Sequence, residues 1–278
     1  MRYSFFFVIC SALLSCEYFQ TNEAKQVDIY SGLYLDLMTA AKKNDVIKMG
    51  EISADNHLNL DYADSKEGVS LLNWCLINNK KGPFLKLLQL GANPNFQDYE
   101  GVMAPTVTEA AALENSEYLT LCLKYGGSAN VLSKKGSLGA YQSPLFASIS
   151  SGYIYPKENL ENLKILTEAG ADVNLINDSI HGSPLASALL QSKIMMANYL
   201  LEHGANYSNL KFVNINGEKL DILFFLRQID FPLNSEQHQI KMKIVNFLVA
   251  KGFNYWKAAI PEDIIKNHKN DTAFLNKY

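Results

Sequence analysis

Apolar residues along this chain gather into short helix-length runs, each followed by a glycine and a polar turn. Gly stands at positions 91, 126, 170, 204 and 252, each time closing such a run. The first four lead into related segments: Leu90-Gly91-Ala92-Asn93-Pro94-Asn95, Tyr125-Gly126-Gly127-Ser128-Ala129-Asn130, Ala169-Gly170-Ala171-Asp172-Val173-Asn174 and His203-Gly204-Ala205-Asn206-Tyr207-Ser208. Successive glycines are 35, 44, 34 and 48 residues apart. A period near 33 or 34 with occasional insertions predicts a solenoid, in which each unit buries its apolar face only against its neighbours. Arrays of that kind are built to hold another molecule and seldom to do chemistry.

The periods share more than their glycines. The clearest copy runs Gly182-Ser183-Pro184-Leu185-Ala186-Ser187-Ala188-Leu189, then Met196, Tyr199-Leu200-Leu201 and Gly204-Ala205-Asn206. Gly68-Val69-Ser70-Leu71-Leu72 with Phe84 and Leu87-Leu88, and Ser143-Pro144-Leu145 with Leu163 and Ile165-Leu166, keep the same phase. These units resemble ankyrin repeats over roughly residues 34 to 260. The resemblance implies an all-α ankyrin-repeat solenoid of about five to six helix-turn-helix units with finger loops and degenerate terminal caps. Its leading unit begins at Leu37-Met38-Thr39-Ala40-Ala41, and its last, around Glu218 to Trp256, keeps the helices and loses most of the signature.

Each recurring residue has a physical task. Ser before Pro caps the first helix, and Pro occupies the first turn without losing a bond. Paired small residues such as Ala110-Ala111 let inner helices approach. The closing Gly takes a left-handed conformation. Asn or Asp beyond it suits tight turns. In one unit the cap and proline are swapped, as Pro105-Thr106. The family's His after Pro-Leu, which bridges neighbouring turns, is replaced by Asn73, Thr108, Phe146 and Ala186, and this predicts less rigid units. Insertions fall at Ser133 to Gly139, at Gly152-Tyr153-Ile154-Tyr155-Pro156 and at Asp230-Phe231-Pro232-Leu233-Asn234. The last two loops either fold back as lids or are offered to a partner.

Residues 1–15 read as a signal peptide. Arg2 is followed by an apolar stretch from Phe5 to Leu14 broken only by Ser11, shorter than the roughly 20 residues a spanning helix needs. It ends in Leu13-Leu14-Ser15-Cys16, which resembles the lipobox of bacterial lipoproteins. That resemblance implies lipidation of Cys16, with residues 16–32 as a tether and 33–278 as the repeat domain. Cys10 fails the same test, because bulky Ile9 precedes it. Two or three acyl chains, at about 0.8 kcal/mol per buried methylene, would anchor the protein firmly. Glu17, in place of the Asp associated with inner-membrane retention, favours a periplasm-facing outer-membrane location over the inner membrane.

Composition narrows the functional classes. The 278 residues are 48% apolar and 19% charged, ample for a packed core, and the net charge of −3 argues against nucleic acid or an anionic membrane surface as partner. The five histidines, His57, His181, His203, His238 and His268, are scattered without H-E-x-x-H or zinc-finger spacing. The chain carries no nucleophile elbow, Walker loop or dinucleotide fingerprint. No cofactor or metal is expected, and no enzyme. Cys75 and Cys122 lie in apolar helical runs and suit core packing, with a disulfide between them left open.

The expected partner is another protein. A lipid-tethered repeat protein of this build resembles the immunity proteins that protect bacteria against type VI secretion effectors such as periplasmic lipases. The alternative is an envelope scaffold or assembly factor. By the family register, partner contacts fall on inner-helix positions Ile77 and Asn78, Ala112 and Leu113, Ser150 and Ser151, Leu190 and Gln191. Finger positions Tyr99 and Glu100, Ile180 and His181 complete the set. Ile77, Leu113, Leu190 and Ile180 are oddly apolar for a groove, so these positions either face a partner or belong to the core.

Overall fold

A computed structural model describes residues 32–56, 58–63, 68–97, 103–133, 142–150, 160–176, 182–210, 212, 217 and 219–278. The chain divides into two compact units, 1–171 and 172–278. Cys16, Tyr99, Glu100, Ser151, Ile180, His181, the Gly152–Pro156 loop and most of the Ser133–Gly139 insertion lie outside the described residues.

In the first unit four helical hairpins follow one another. They are α1 (Leu33–Lys42) with α2 (Val46–Asn56), α3 (Leu71–Ile77) with α4 (Lys81–Gln89), α5 (Thr106–Ala111) with α6 (Glu117–Lys124), and α7 (Pro144–Ser150) with α8 (Leu160–Glu168). First helices pack on first helices, α3 on α5 and α5 on α7. Second helices likewise run α2 on α4 on α6. The result is two layers around a seam that holds Phe84, Leu87, Leu119, Leu163 and Leu166, all buried. In the second unit α9 (Pro184–Leu190) pairs with α10 (Ile194–Glu202), α11 (Ile222–Gln228) packs on α9, and α12 (Glu236–Ala250) packs on α10. A 3₁₀ turn (Tyr255–Lys257) and two short helices, α13 (Glu262–Asn267) and α14 (Thr272–Lys277), close the chain.

The local signals work as expected at most positions. Ser70, Ser143 and Ser183 accept the backbone N–H three residues on, at 3.1, 3.2 and 3.2 Å. Asp221 does the same for α11 at 2.9 Å. The swapped Pro105-Thr106 pair has no side-chain cap; Glu109 instead reaches back to the Ala104 N–H at 3.2 Å. Burial pushes the Glu109 carboxyl up to about 7 despite that bond. The closing glycines 91, 126, 170, 204 and 252 all have φ between 84° and 98°. Non-glycine residues hold the left-handed position of the turn inside three hairpins: Asn44, Asn79 and Ser192, with φ of 59°, 52° and 57°. Leu201 is only half-buried, whereas Leu200 beside it is fully enclosed.

The Asp230–Asn234 loop resolves one open alternative. Leu233 packs on a cluster of Ile264, Phe274 and Tyr278, and Asp230 pairs with His268 at 2.9 Å. The loop is folded back and anchors the closing helices. Cys75 and Cys122 are free and buried.

Candidate partner-binding face

The first helices place the expected contact positions through a sharp change in burial. Cys75 and Leu76, Ala110 and Ala111, Ser148 and Ile149, and Ala188 and Leu189 are all buried at the small-residue step. One residue further on, Ile77 is 36% exposed and Leu190 42%. Asn78 is exposed, while Ala112, Leu113, Ser150 and Gln191 are half-buried. Burial therefore relaxes just beyond the small-residue step, and Ile77 and Leu190 are surface side chains. In the first unit the packing of α3, α5 and α7 sets Ile77, Leu113 and Ser150 at the same end of three neighbouring helices.

Side-chain bonds hold these helix ends. Asn78 donates to the Trp74 carbonyl at 2.9 Å and Gln191 to the Ser187 hydroxyl at 3.1 Å. Under α5, buried Asn162 of α8 donates to the carbonyls of Ala111 and Leu113 at 3.0 and 2.7 Å. The first bond satisfies one of the orphan acceptors that any helix leaves at its C-terminus, and the second holds the chain just beyond the cap. Leu113 is thus half-buried over a fixed backbone, a less free contact than Ile77 or Leu190.

A second set of residues ties one repeat to the next within each unit, and the sequence assigned them only to local turns. Asn95 donates to the Gly126 carbonyl at 2.8 Å and accepts the Ser128 N–H at 2.7 Å. Asn130 donates to the Gly170 carbonyl at 2.8 Å. Within the second unit Asn174 donates to the Gly204 carbonyl at 3.2 Å and accepts the Asn206 N–H at 2.8 Å. Asp61 begins the ladder by accepting the Asn93 N–H at 2.8 Å. The available signal was Asn recurring four residues after each of Gly91, Gly126 and Gly170. Asn73, at the family's His position, also reaches its neighbour, donating to the Ala104 carbonyl at 3.2 Å. The tie expected to be lost there is retained.

Burial pushes the Cys122 thiol up to about 12 and the Cys75 thiol higher, so neither offers a thiolate. Among the described residues, no group of three His, Cys, Asp or Glu side chains is placed to hold a metal ion.

Solved structures share this arrangement. The ankyrin repeat protein EF0377 superposes with a TM-score of 0.56 at 22% identity, covering 78% of this chain and 98% of its own. An ankyrin repeat domain from Acinetobacter baumannii AYE gives 0.55 at 20% identity, covering 74% and 94%. The fold is an ankyrin-repeat solenoid. No family model matches the chain. Among curated proteins it is similar to Protein PhlB of Serratia liquefaciens, 33% identical over 117 residues. That match spans 42% of this chain and 46% of PhlB, less than half of either.

Proposed function

We propose that this ankyrin-repeat protein is a lipid-anchored, periplasm-facing inhibitor, an immunity protein that binds a secreted type VI toxin such as a lipase effector. The observation that carries the reading is Leu13-Leu14-Ser15-Cys16, a lipobox-like sequence directly ahead of a fold used for protein recognition. A toxin acting at a membrane is best intercepted by an inhibitor confined to that surface, where tethering raises the effective concentration. Ile77 in the first unit and Leu190 in the second are each exposed apolar side chains of the kind that anchors a partner, and a protein-binding groove can bury the roughly 1,600 Å² of a stable complex. Outer-membrane attachment follows from Glu17 beside Cys16, by the sorting resemblance given above.

Two measurements test it. Intact-mass analysis of the mature protein is expected to find Cys16 at its N-terminus bearing lipid, and Cys16→Ser to release the protein from membranes or leave its signal uncleaved. Expression is also expected to neutralise a lipase effector encoded beside the gene, with Ile77→Glu and Leu190→Glu abolishing protection while the variants stay folded. An unmodified Cys16 removes the anchor; protection unaffected by either charge removes the face.

A further inference from the structure

Two basic side chains are enclosed at the end of the second unit. Arg227 of α11 and Lys241 of α12 are 3% and 0% exposed. Among the described residues neither has a carboxylate in ion-pair contact, since Asp230 is engaged with His268. Arg227 donates to the Tyr255 carbonyl at 2.6 Å, with its guanidinium carbon 3.9 Å from the centre of the Tyr255 ring. Lys241 donates to the Ile229 carbonyl at 2.9 Å, its Nζ 3.8 Å from the centre of the Tyr278 ring. The Tyr278 hydroxyl donates back to the carbonyls of Arg227 and Ile229, and the Tyr255 hydroxyl donates to the Tyr278 carbonyl at 2.7 Å. Tyr278 thereby pins α13 and α14 to the last repeat.

We propose that residues 258–278 form a proton-sensitive strap, latched by Tyr278 over Lys241, which holds while Lys241 is neutral and loosens when Lys241 takes up a proton. The groups that face this amine come from every element around it. Arg227 on α11 repels its charge, and His238 lies on its own helix. Asp230 in the loop attracts it but is shared with His268 at the end of α13. The ring faces of Tyr255 in the 3₁₀ turn and of Tyr278 attract the charged amine and, with Asp230, oppose the effect of burial, while the latch itself is made by the Tyr278 hydroxyl on the carbonyls of Arg227 and Ile229. Burial first, and Arg227 second, bring Lys241 down to about 7, with Asp230 opposing. Burial holds Tyr255 up at about 12 and Tyr278 higher, so both stay neutral throughout.

The sign follows from proton counting. An open strap returns Lys241 towards its ordinary 10.5, so the open state binds more protons and the closed state gains stability as pH rises. That gain is lost as pH falls through the interval from 10.5 to about 7, and below it Lys241 is protonated in both states. His238, lowered by burial and by Lys241, acts in the same direction at lower pH. Opening uncovers Ile229, Leu233 and Tyr255, an apolar face at the end of the array. The switch stands whether or not the protein is an immunity factor.

Hydrogen exchange on the full chain tests the strap, with each rate corrected for intrinsic exchange and peptides over 33–56 as internal control. Between about pH 7 and 8.5, above the ordinary His238 range, protection over 262–278 is expected to rise about tenfold relative to the control. Lys241→Met fills the same space without a charge and is expected to be protected from the start, with no slope. Tyr278→Phe loses the hydroxyl bonds and is expected to lower protection at every pH. A wild-type slope retained in Lys241→Met overturns the proposal. So does a wild-type strap whose protection stays flat or falls as pH rises, a result that decides the matter even if Lys241→Met does not fold.

Discussion

Asn95→Ala probes the ladder that joins one repeat to the next. The substitution removes two bonds from one side chain, to the Gly126 carbonyl and from the Ser128 N–H. Both partners are backbone groups, and water can reach this half-buried site, so each bond counts for the lower part of the usual net value. The expected loss is about 1–2 kcal/mol, or roughly 2–8 °C in melting temperature for a chain of this size. Asn93→Ala is the matched control. It removes only the local bond from the Asn95 N–H, while the Asn93 N–H stays held by Asp61. Urea unfolding followed by Trp74 fluorescence suits the comparison, because Trp74 is buried in α3, the repeat to which Asn95 belongs. In a repeat array the ladder contributes to coupling between neighbours, so a less steep transition is also expected for Asn95→Ala. If it cost no more than Asn93→Ala, the ladder would be a consequence of stacking and not one of its causes.

Other substitutions separate packing, backbone and charge. Leu200→Ala, fully enclosed in the seam, is expected to cost about 2–5 kcal/mol by thermal or urea unfolding, and an unchanged midpoint would disprove its seam role. Gly204→Val meets no atom within 4 Å of the added Cβ, so its expected loss of about 1–2 kcal/mol comes from φ of 86° alone; Ser192→Gly, relieving φ of 57°, is expected to stabilise by up to about 1 kcal/mol. Because the folded chain raises Glu109 from its ordinary 4.5 to about 7, stability associated with this group is greatest below 4.5 and lost as pH rises through 7. Glu109→Gln is therefore expected to raise the melting temperature near pH 8 and to leave it almost unchanged near pH 4, and equal effects at both would refute the assignment.

The repeat fold was legible because its determinants are local. Left-handed glycines, serine caps and small-residue pairs act within a turn or two of backbone, so Gly91, Ser183 and Ala110-Ala111 announce themselves from spacing alone. The same register marked where burial stops, at Ile77 and Leu190. The spacing did not reveal which acceptor each polar side chain reaches, since those partners lie a full repeat away. Asn95 meets Gly126, and Asn162 meets Leu113 across 49 residues. A hydrogen bond of that range is set by how helices stack, which periodicity states only on average. The closing strap shows the limit most clearly. Nothing in the spacing singles out Lys241 or Arg227, and only the folding of Tyr255, Tyr278 and Ile229 around them removes their water and makes their charge costly.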